Sequence, residues 1–468
     1  MKKTSITGFI FCFFVAVLSF NTTAQEYKYD LNKYYTPDIV RNKLDVSFSG
    51  NGSFSNETST NDSLFSNNLN GSLIPTFVMY KNTRKLVSQF NVDGSFQAQS
   101  WGRGDLFDNS NSFLGTQSTN NLHLGYDARF YNPKKQFLSL GIYGGFRNEG
   151  NMNHFTTNSV KTKAGNQDYG GGIRASFGLG FGRIESVEDA RQAIYILDEL
   201  SKKGVLTRQL SNDEVFQFSQ QISRVKNKRF LDSRLHLIDE ITSIDSFFVS
   251  NNLLTKSDAS YFTTLYDYWQ YGALYSRKSG HEFAFSLSPA VSLSSDNSLN
   301  IDTLIWAHGH FNYYRGELTI AYNYEKPVSL NWQHSAFALI ICNSTLYDQA
   351  TLPETNYPST IRKYNYNNAY LQGGYSISYY PNTRTNYSVG LSQGLSLNSY
   401  DDMDSSTASP VNNLQSSTSF NLNASYYFSP QFRLSANSRL SYILNNSELF
   451  KSSGLNGWIS ASFVYSFF

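Results

Sequence analysis

The feature that most constrains this chain is a two-residue period recurring in segments of about ten residues. Between Leu86 and Gln99 the even positions include Phe90, Val92, Phe96 and Ala98, while the odd ones read Gln89, Asn91, Asp93, Ser95, Gln97 and Gln99. The same alternation returns at Leu122–Phe130, Ile173–Phe181, Phe283–Leu293, Leu371–Tyr379, Tyr387–Leu397, Phe420–Phe428 and Phe432–Leu444. Successive strand side chains point to opposite faces, so each segment predicts a strand with one apolar and one polar face.

Composition agrees. Aromatic residues make up 16% of the chain and favour pleated, half-buried surfaces, and only 10 prolines interrupt it. Mean hydropathy is −0.39, as expected where only every second strand residue must be apolar. At the start, Lys2 and Lys3 precede an apolar run from Ile10 to Phe20 and then Thr22-Thr23-Ala24. This pattern predicts a secretory signal peptide cleaved near Ala24, because the run is shorter than the roughly 20 residues a spanning helix needs. Cys12 lies inside the run, not just after a cleavage site, which argues against a lipidated N-terminal cysteine, and only Cys342 would remain, so no internal disulfide is expected. Without Lys2 and Lys3, the 38 basic residues fall to match the 36 acidic ones. Such a neutral chain lacks the basic footprint of nucleic-acid binding.

Alternation alone fits a soluble sandwich as well as a barrel. Very short turns directly follow aromatics at Tyr131-Asn132-Pro133, Tyr324-Glu325-Lys326-Pro327, Tyr380-Pro381-Asn382 and Phe428-Ser429-Pro430, and they alternate with long polar connections at Ser55–Asn68, Ser100–Asn120, Asn343–Ser359 and Ser399–Asn413. Short turns at one end, long loops at the other and aromatics beside the turns are the asymmetry of an all-β transmembrane antiparallel barrel. About fourteen strands are expected, with twelve or sixteen open: six from Lys43 to Phe181 and eight from His281 to Phe467. Parity blurs at Ile74–Tyr80, Thr303–Tyr324 and Trp332–Cys342. An even number places both chain ends on the periplasmic side.

In the last segment, Ile459, Ala461, Phe463, Tyr465 and Phe467 alternate with Ser460, Ser462, Val464 and Ser466, and Phe468 follows. This end resembles that of bacterial outer-membrane β-barrel proteins of porin-like type, as a group and not as one family. Phe468 departs from the pattern by standing one residue beyond the clean alternation. The resemblance implies residence in the outer membrane of a Gram-negative bacterium, contact with outer-membrane lipid, and recognition of Phe463, Tyr465, Phe467 and Phe468 by the β-barrel assembly machinery.

Between the sixth and seventh strands the pattern breaks. Arg183 to Ser250 holds ten basic and eleven acidic residues. Ser186-Val187-Glu188-Asp189 opens a helix through Ala190, Ala193, Ile194, Leu197 and Leu200 that Gly204 ends; Ser211 to Glu214 is a capping box; Asp232 caps a third helix through Leu235, Ile238, Ile241 and Ile244; and a fourth runs from Ser257 toward Trp269. The chain thus divides into a signal peptide (1–24), an N-terminal periplasmic segment (25–42), a first half-barrel (43–182), a periplasmic helical insert (183–280) and a second half-barrel (281–468).

Enzymatic chemistry is not expected. Gly170-Gly171-Gly172 and Gly178-Leu179-Gly180 lack the Lys-Ser/Thr of a phosphate loop. His308 and His310 share a face without an evident third metal ligand. His334 and Ser335 are strand neighbours and point apart, so they form no relay by themselves. No cofactor or metal is implied. The polar faces instead offer pore-lining charges: Arg129, Arg147, Arg174, Arg433 and Arg439 against Asp45, Asp93, Asp127, Glu282 and Glu317. They would form a wall-stiffening ion-pair network or a transverse field for polar solutes. The run Arg224-Val225-Lys226-Asn227-Lys228-Arg229 suits either a solvated helix end or contact with anionic lipid or peptidoglycan. Two functions follow as expectations: a channel for small hydrophilic solutes, or an anchoring or assembly component whose helices dock an export or envelope partner.

Overall fold

The computed structural model describes residues 29–58, 63–105, 112–228, 236–272, 275–300, 305–353, 360–402, 411–429, 431–447 and 451–465. Its strands are β1 (Ile39–Thr58), β2 (Ser63–Asn82), β3 (Leu86–Asp105), β4 (Ser112–Tyr131), β5 (Gln136–Thr157), β6 (Val160–Ser186), β7 (Lys278–Asn300), β8 (Ile305–Pro327), β9 (Trp332–Pro353), β10 (Thr360–Tyr379), β11 (Thr385–Asp402), β12 (Val411–Tyr427), β13 (Phe432–Ser447) and β14 (Lys451–Tyr465). All lie in one sheet in sequence order. Every neighbouring pair is antiparallel. This is a fourteen-stranded up-and-down barrel wall whose edges are β1 and β14; among the described residues those two edges are not paired.

The strands are longer than the alternation suggested. In the connections expected at Ser55–Asn68, Ser100–Asn120, Asn343–Ser359 and Ser399–Asn413 the described residues are strand, with β1 and β2 paired from Ile39↔Asn82 to Thr58↔Ser63. A spanning strand needs about 9–11 residues, whereas these run from 15 to 27. Beyond the apolar band the ladder continues because backbone pairing requires no greasy face. Where parity blurred, register is unbroken: Trp332–Cys342 places Phe337, Leu339 and Ile341 on the polar face, and the Phe337 ring lies over Gly374, whose missing side chain makes the space.

Three boundaries differ from expectation. β1 begins at Ile39, not at residue 43, and the helical segment occupies 187–277, because Arg183–Ser186 and Lys278–His281 still pair with one another. At this neck Gly182 and Gly280 have φ of +91° and +121°, and a Cβ on either would sit 2.2 Å from the opposite strand's carbonyl oxygen. The two glycines let the β6–β7 ribbon bend away from the wall.

The insert folds as four helices, α1 (Glu188–Lys202), α2 (Asn212–Asn227), α3 (Leu237–Ser250) and α4 (Ala259–Tyr271). Ser211 and Glu214 form the capping box of α2. Ser186 does not cap α1: it ends β6, and Val187 stands at the cap with no side-chain bond. Asp258 caps α4, and Asp232 lies outside the described residues. Ile194, Leu197, Val215, Phe218, Ile222, Ile244, Phe248, Tyr261 and Leu265 form a buried core. Each such side chain contributes roughly 1.5–3 kcal/mol on burial. Tyr29, Leu31 and Tyr34, before β1, belong to the same core, as does Leu330 of the β8–β9 turn.

Candidate functional site at the polar face and the helical cap

One contact fixes the curvature of the sheet. Arg129 of β4 donates to Glu282 of β7 at 2.8 Å, although β5 and β6 lie between them. Adjacent strands are about 4.8 Å apart, so the two backbones are separated by three such steps and the side chains meet only if the polar face is concave. Ser139 and Gly178 occupy the intervening positions in register with Arg129 and leave the guanidinium room to cross.

The other expected charges lie on that face and bond within their own strand or to the adjacent one, none reaching as far. Arg147 bonds Glu149, Arg315 bonds Glu317 and Lys43 bonds Asp45, each two residues apart. Asp127 accepts from the Tyr143 hydroxyl, and Arg174 lies 4.4 Å over the Tyr143 ring. Asp93 accepts from Asn91 at 2.9 Å. Arg433 donates to the Tyr427 hydroxyl at 3.3 Å, and Arg439 reaches Ser419 and Ser441 at 2.9 Å. Glu149, Arg315 and Tyr143 were not singled out in the sequence; the opposite-charge i, i+2 pattern would have found the first two, since such residues share a strand face.

The histidines spread apart. His308 meets Asn297 at 2.5 Å and His310 meets Asp348 at 3.7 Å. His334 contacts the Tyr375 hydroxyl, while Ser335 donates to Glu325 at 2.5 Å on the opposite face. No group of three metal-binding side chains occurs among the described residues.

The opposite, convex face carries the apolar side chains, and toward the short turns its aromatics pack in a belt. Trp332 stacks on Tyr379 at 4.5 Å and Phe428 on Phe432 at 5.0 Å. Phe463 and Tyr465 lie 6.1 and 6.3 Å from Phe432, so the described part of the terminal segment completes this belt. Phe467 and Phe468 lie outside the described residues.

The helical unit lies across the short-turn rim. Arg183, leading into it, donates to the Thr83 and Arg84 carbonyls of the β2–β3 turn at 2.9 and 3.2 Å. Arg277, leading out, is buried and donates to the Ser329 and Trp332 carbonyls around the β8–β9 turn at 2.8 and 2.7 Å, and also to that of Leu330. The Tyr275 hydroxyl lies 3.0 Å from the Arg384 carbonyl of the β10–β11 turn and 3.0 Å from that of Ser425 in β12. Burial pushes that phenol up to about 12. Arg191, fully buried, donates to the Tyr275 carbonyl at 3.1 Å and faces the Tyr380 ring. Three turns and one strand spread around the rim thus hold one cap. Lys226 of the basic run turns inward to Asp189 at 2.7 Å. These clamps were not legible in the sequence, because nothing local marks an arginine that will meet turn carbonyls far along the chain.

No family model matches the chain. No curated protein matches it either. Among solved structures, the translocator domain of the autotransporter NalP from Neisseria meningitidis aligns over 98% of this chain and 95% of its own at 8% identity and a TM-score of 0.23. The TodX monoaromatic hydrocarbon channel deltaS2 mutant aligns over 94% and 93% at 8% identity and 0.31. The transport unit of the autotransporter AIDA-I from Escherichia coli aligns over 82% and 91% at 12% identity and 0.27. Likenesses this distant carry no argument about what the chain does, and the architecture rests on its own strand register.

Proposed function

We propose that this chain is an outer-membrane barrel, in a Gram-negative bacterium, that passes small hydrophilic solutes, with the helical unit as a cap on its periplasmic mouth. The observation carrying this reading is the exposure of the convex face. Ile142, Leu179 and Leu287 are 57%, 62% and 53% exposed, while their strand neighbours on the concave face are glycine, serine and tyrosine. A soluble protein rarely exposes an apolar surface of this extent, and lipid is the solvent that suits it. The concave face, with paired charges, serine and glycine, suits water and polar solutes. It works as a conduit and not as a catalyst.

Full-length protein in a planar bilayer should give discrete conductance steps. Replacing 187–277 by an Asn-Gly turn should enlarge them, because Ser186 and Lys278 already pair as a hairpin would. Silent bilayers for both proteins overturn the channel.

A second reading has its own observation. On the cap, Ile238 is 80% exposed, and Val249, Phe262 and Tyr266 are exposed as well. These apolar side chains on α3 and α4 favour docking of an envelope or export partner. A cap-deleted barrel that conducts yet loses its cellular phenotype supports this second role.

A further inference from the structure

The concave face carries one feature that ion pairing leaves unused. In hydrogen-bonded register, Gly145, Gly172 and Ser292 continue directly into Tyr313, Tyr347 and Tyr364, on six adjacent strands from β5 to β10. The first half of this row has almost no side chains and floors a groove of about 500 Å³, with Tyr143, Arg174, Arg315 and Glu317 among its walls. The second half is an aromatic rail. Tyr313 lies 6.1 Å from Tyr347, Tyr347 stacks on Tyr364 at 4.7 Å, and Tyr364 meets Tyr400 of β11 at 5.1 Å.

Two properties narrow what such a row would hold. The phenol hydroxyls of Tyr313, Tyr347, Tyr364 and Tyr400 have no hydrogen-bond partner among the described residues, so the rail offers apolar rings and free hydroxyls together. Of the groove's cations, Arg315 is matched by Glu317 and Arg147 by Glu149, and Arg174 lies over the Tyr143 ring, whose hydroxyl bonds Asp127, so three cations stand beside three carboxylates and leave no net field for a polyanion. Amphipathic rings beside matched polar groups fit a ligand with apolar ring faces and many hydroxyls. An apolar hydrocarbon would cover the rail's hydroxyls without giving them a partner.

We propose that this row is a binding track for a neutral oligosaccharide, its sugar rings against the tyrosine rail and its hydroxyls against Arg174, Arg315 and Glu317. This rests on the channel reading for its place in the membrane: the row lies nine residues up β5 and fifteen up β9 and β10 from their short-turn ends, at or beyond the 9–11 residues that cross the hydrocarbon. The track therefore sits at the far mouth, opposite the cap, where a solute is captured before it passes.

The test is direct binding, measured on full-length protein in detergent micelles by saturation-transfer NMR and equilibrium dialysis. The probes are neutral hexasaccharides of α- and β-linked glucose and of N-acetylglucosamine, with a hexauronate as the charged comparison. At least one neutral probe should bind, and the double variant Tyr347→Ala/Tyr364→Ala should weaken it tenfold or more. Tyr347→Thr/Tyr364→Thr, which keeps strand-forming residues, should do the same with an unchanged β-sheet circular dichroism spectrum. Tyr322→Ala on the convex face should leave binding intact. Absence of binding by every neutral probe, tighter binding of the hexauronate, or indifference to both double variants overturns the track. Binding without conductance would retain the track and reject the channel; conductance without binding would do the reverse.

Discussion

Arg129 on β4 and Glu282 on β7 form an ion pair across two intervening strands, with the carboxylate nearly buried and the guanidinium partly open to the concave side. Removing the cation leaves a buried carboxylate without its donor, which costs more than the pair itself contributes. Arg129→Met should destabilise the folded barrel by about 1–3 kcal/mol in urea titrations from lipid vesicles. Arg129→Met/Glu282→Gln should recover part of that loss, and a double variant worse than the single one would speak against a direct pair.

The two faces of each strand are tested on β10, where Leu371 is convex and Gln372 concave. Leu371→Arg should cost about 2–4 kcal/mol if it lies near the bilayer midplane, while Gln372→Arg should be almost free of that penalty. Cys342, exposed on the convex face, gives a check without any substitution in the strand. It should react with a lipid-soluble maleimide in membranes and resist a membrane-impermeant one. Equal reaction with both would mean that the convex face meets water.

The strands were legible because lipid and water on opposite faces impose a period of two wherever both solvents are present. That same cause limits the reading. At Ser55–Thr58 and Ser66–Asn68 both faces are polar, the period vanishes, and the ladder continues unseen. At Phe337 an apolar residue sits on the concave side because Gly374 opposite leaves a hollow. The capping box at Ser211 was visible because it is local. The arginine clamps and the tyrosine row were not, since each is assembled from turns or strands far apart in the chain.

Arg277 holds the β8–β9 turn through carbonyl groups that no other side chain replaces in the described structure. Arg277→Ala should loosen the cap from the rim while leaving its own core intact. Limited proteolysis should then cut the 272–278 neck at least tenfold faster, with unchanged far-ultraviolet circular dichroism. An unaltered cleavage rate would show that the clamp is dispensable.

Burial pushes the Glu188 carboxyl above its ordinary value of 4.5, with Asp189 adding to the effect and Lys226 and Arg191 opposing it. A raised folded-state pKa means that the native cap binds this proton more readily than the unfolded chain. The stabilisation is present below the ordinary value and is lost as pH rises through the folded one. Glu188→Gln should therefore stabilise the cap relative to wild type at neutral pH, and the difference should shrink toward zero as pH falls below 4.5. Hydrogen-exchange protection of α1 amides across this range reports it; a difference that grows on acidification would reverse the sign.

Tyr34, just before β1, packs into the helical core against Phe216 at 5.9 Å, and Thr36 meets the Ser186 carbonyl at 3.4 Å. The six strands of the first half are thus enclosed in a hoop whose two ends are tied at one knot of apolar side chains. Closing so long a loop is entropically slow to begin, yet each doubling of loop length adds only about 0.6 kcal/mol. Once tied, β1 to β6 form a self-fastened half that can wait, with its free edges at β1 and β6, for the remaining eight strands to be added in order.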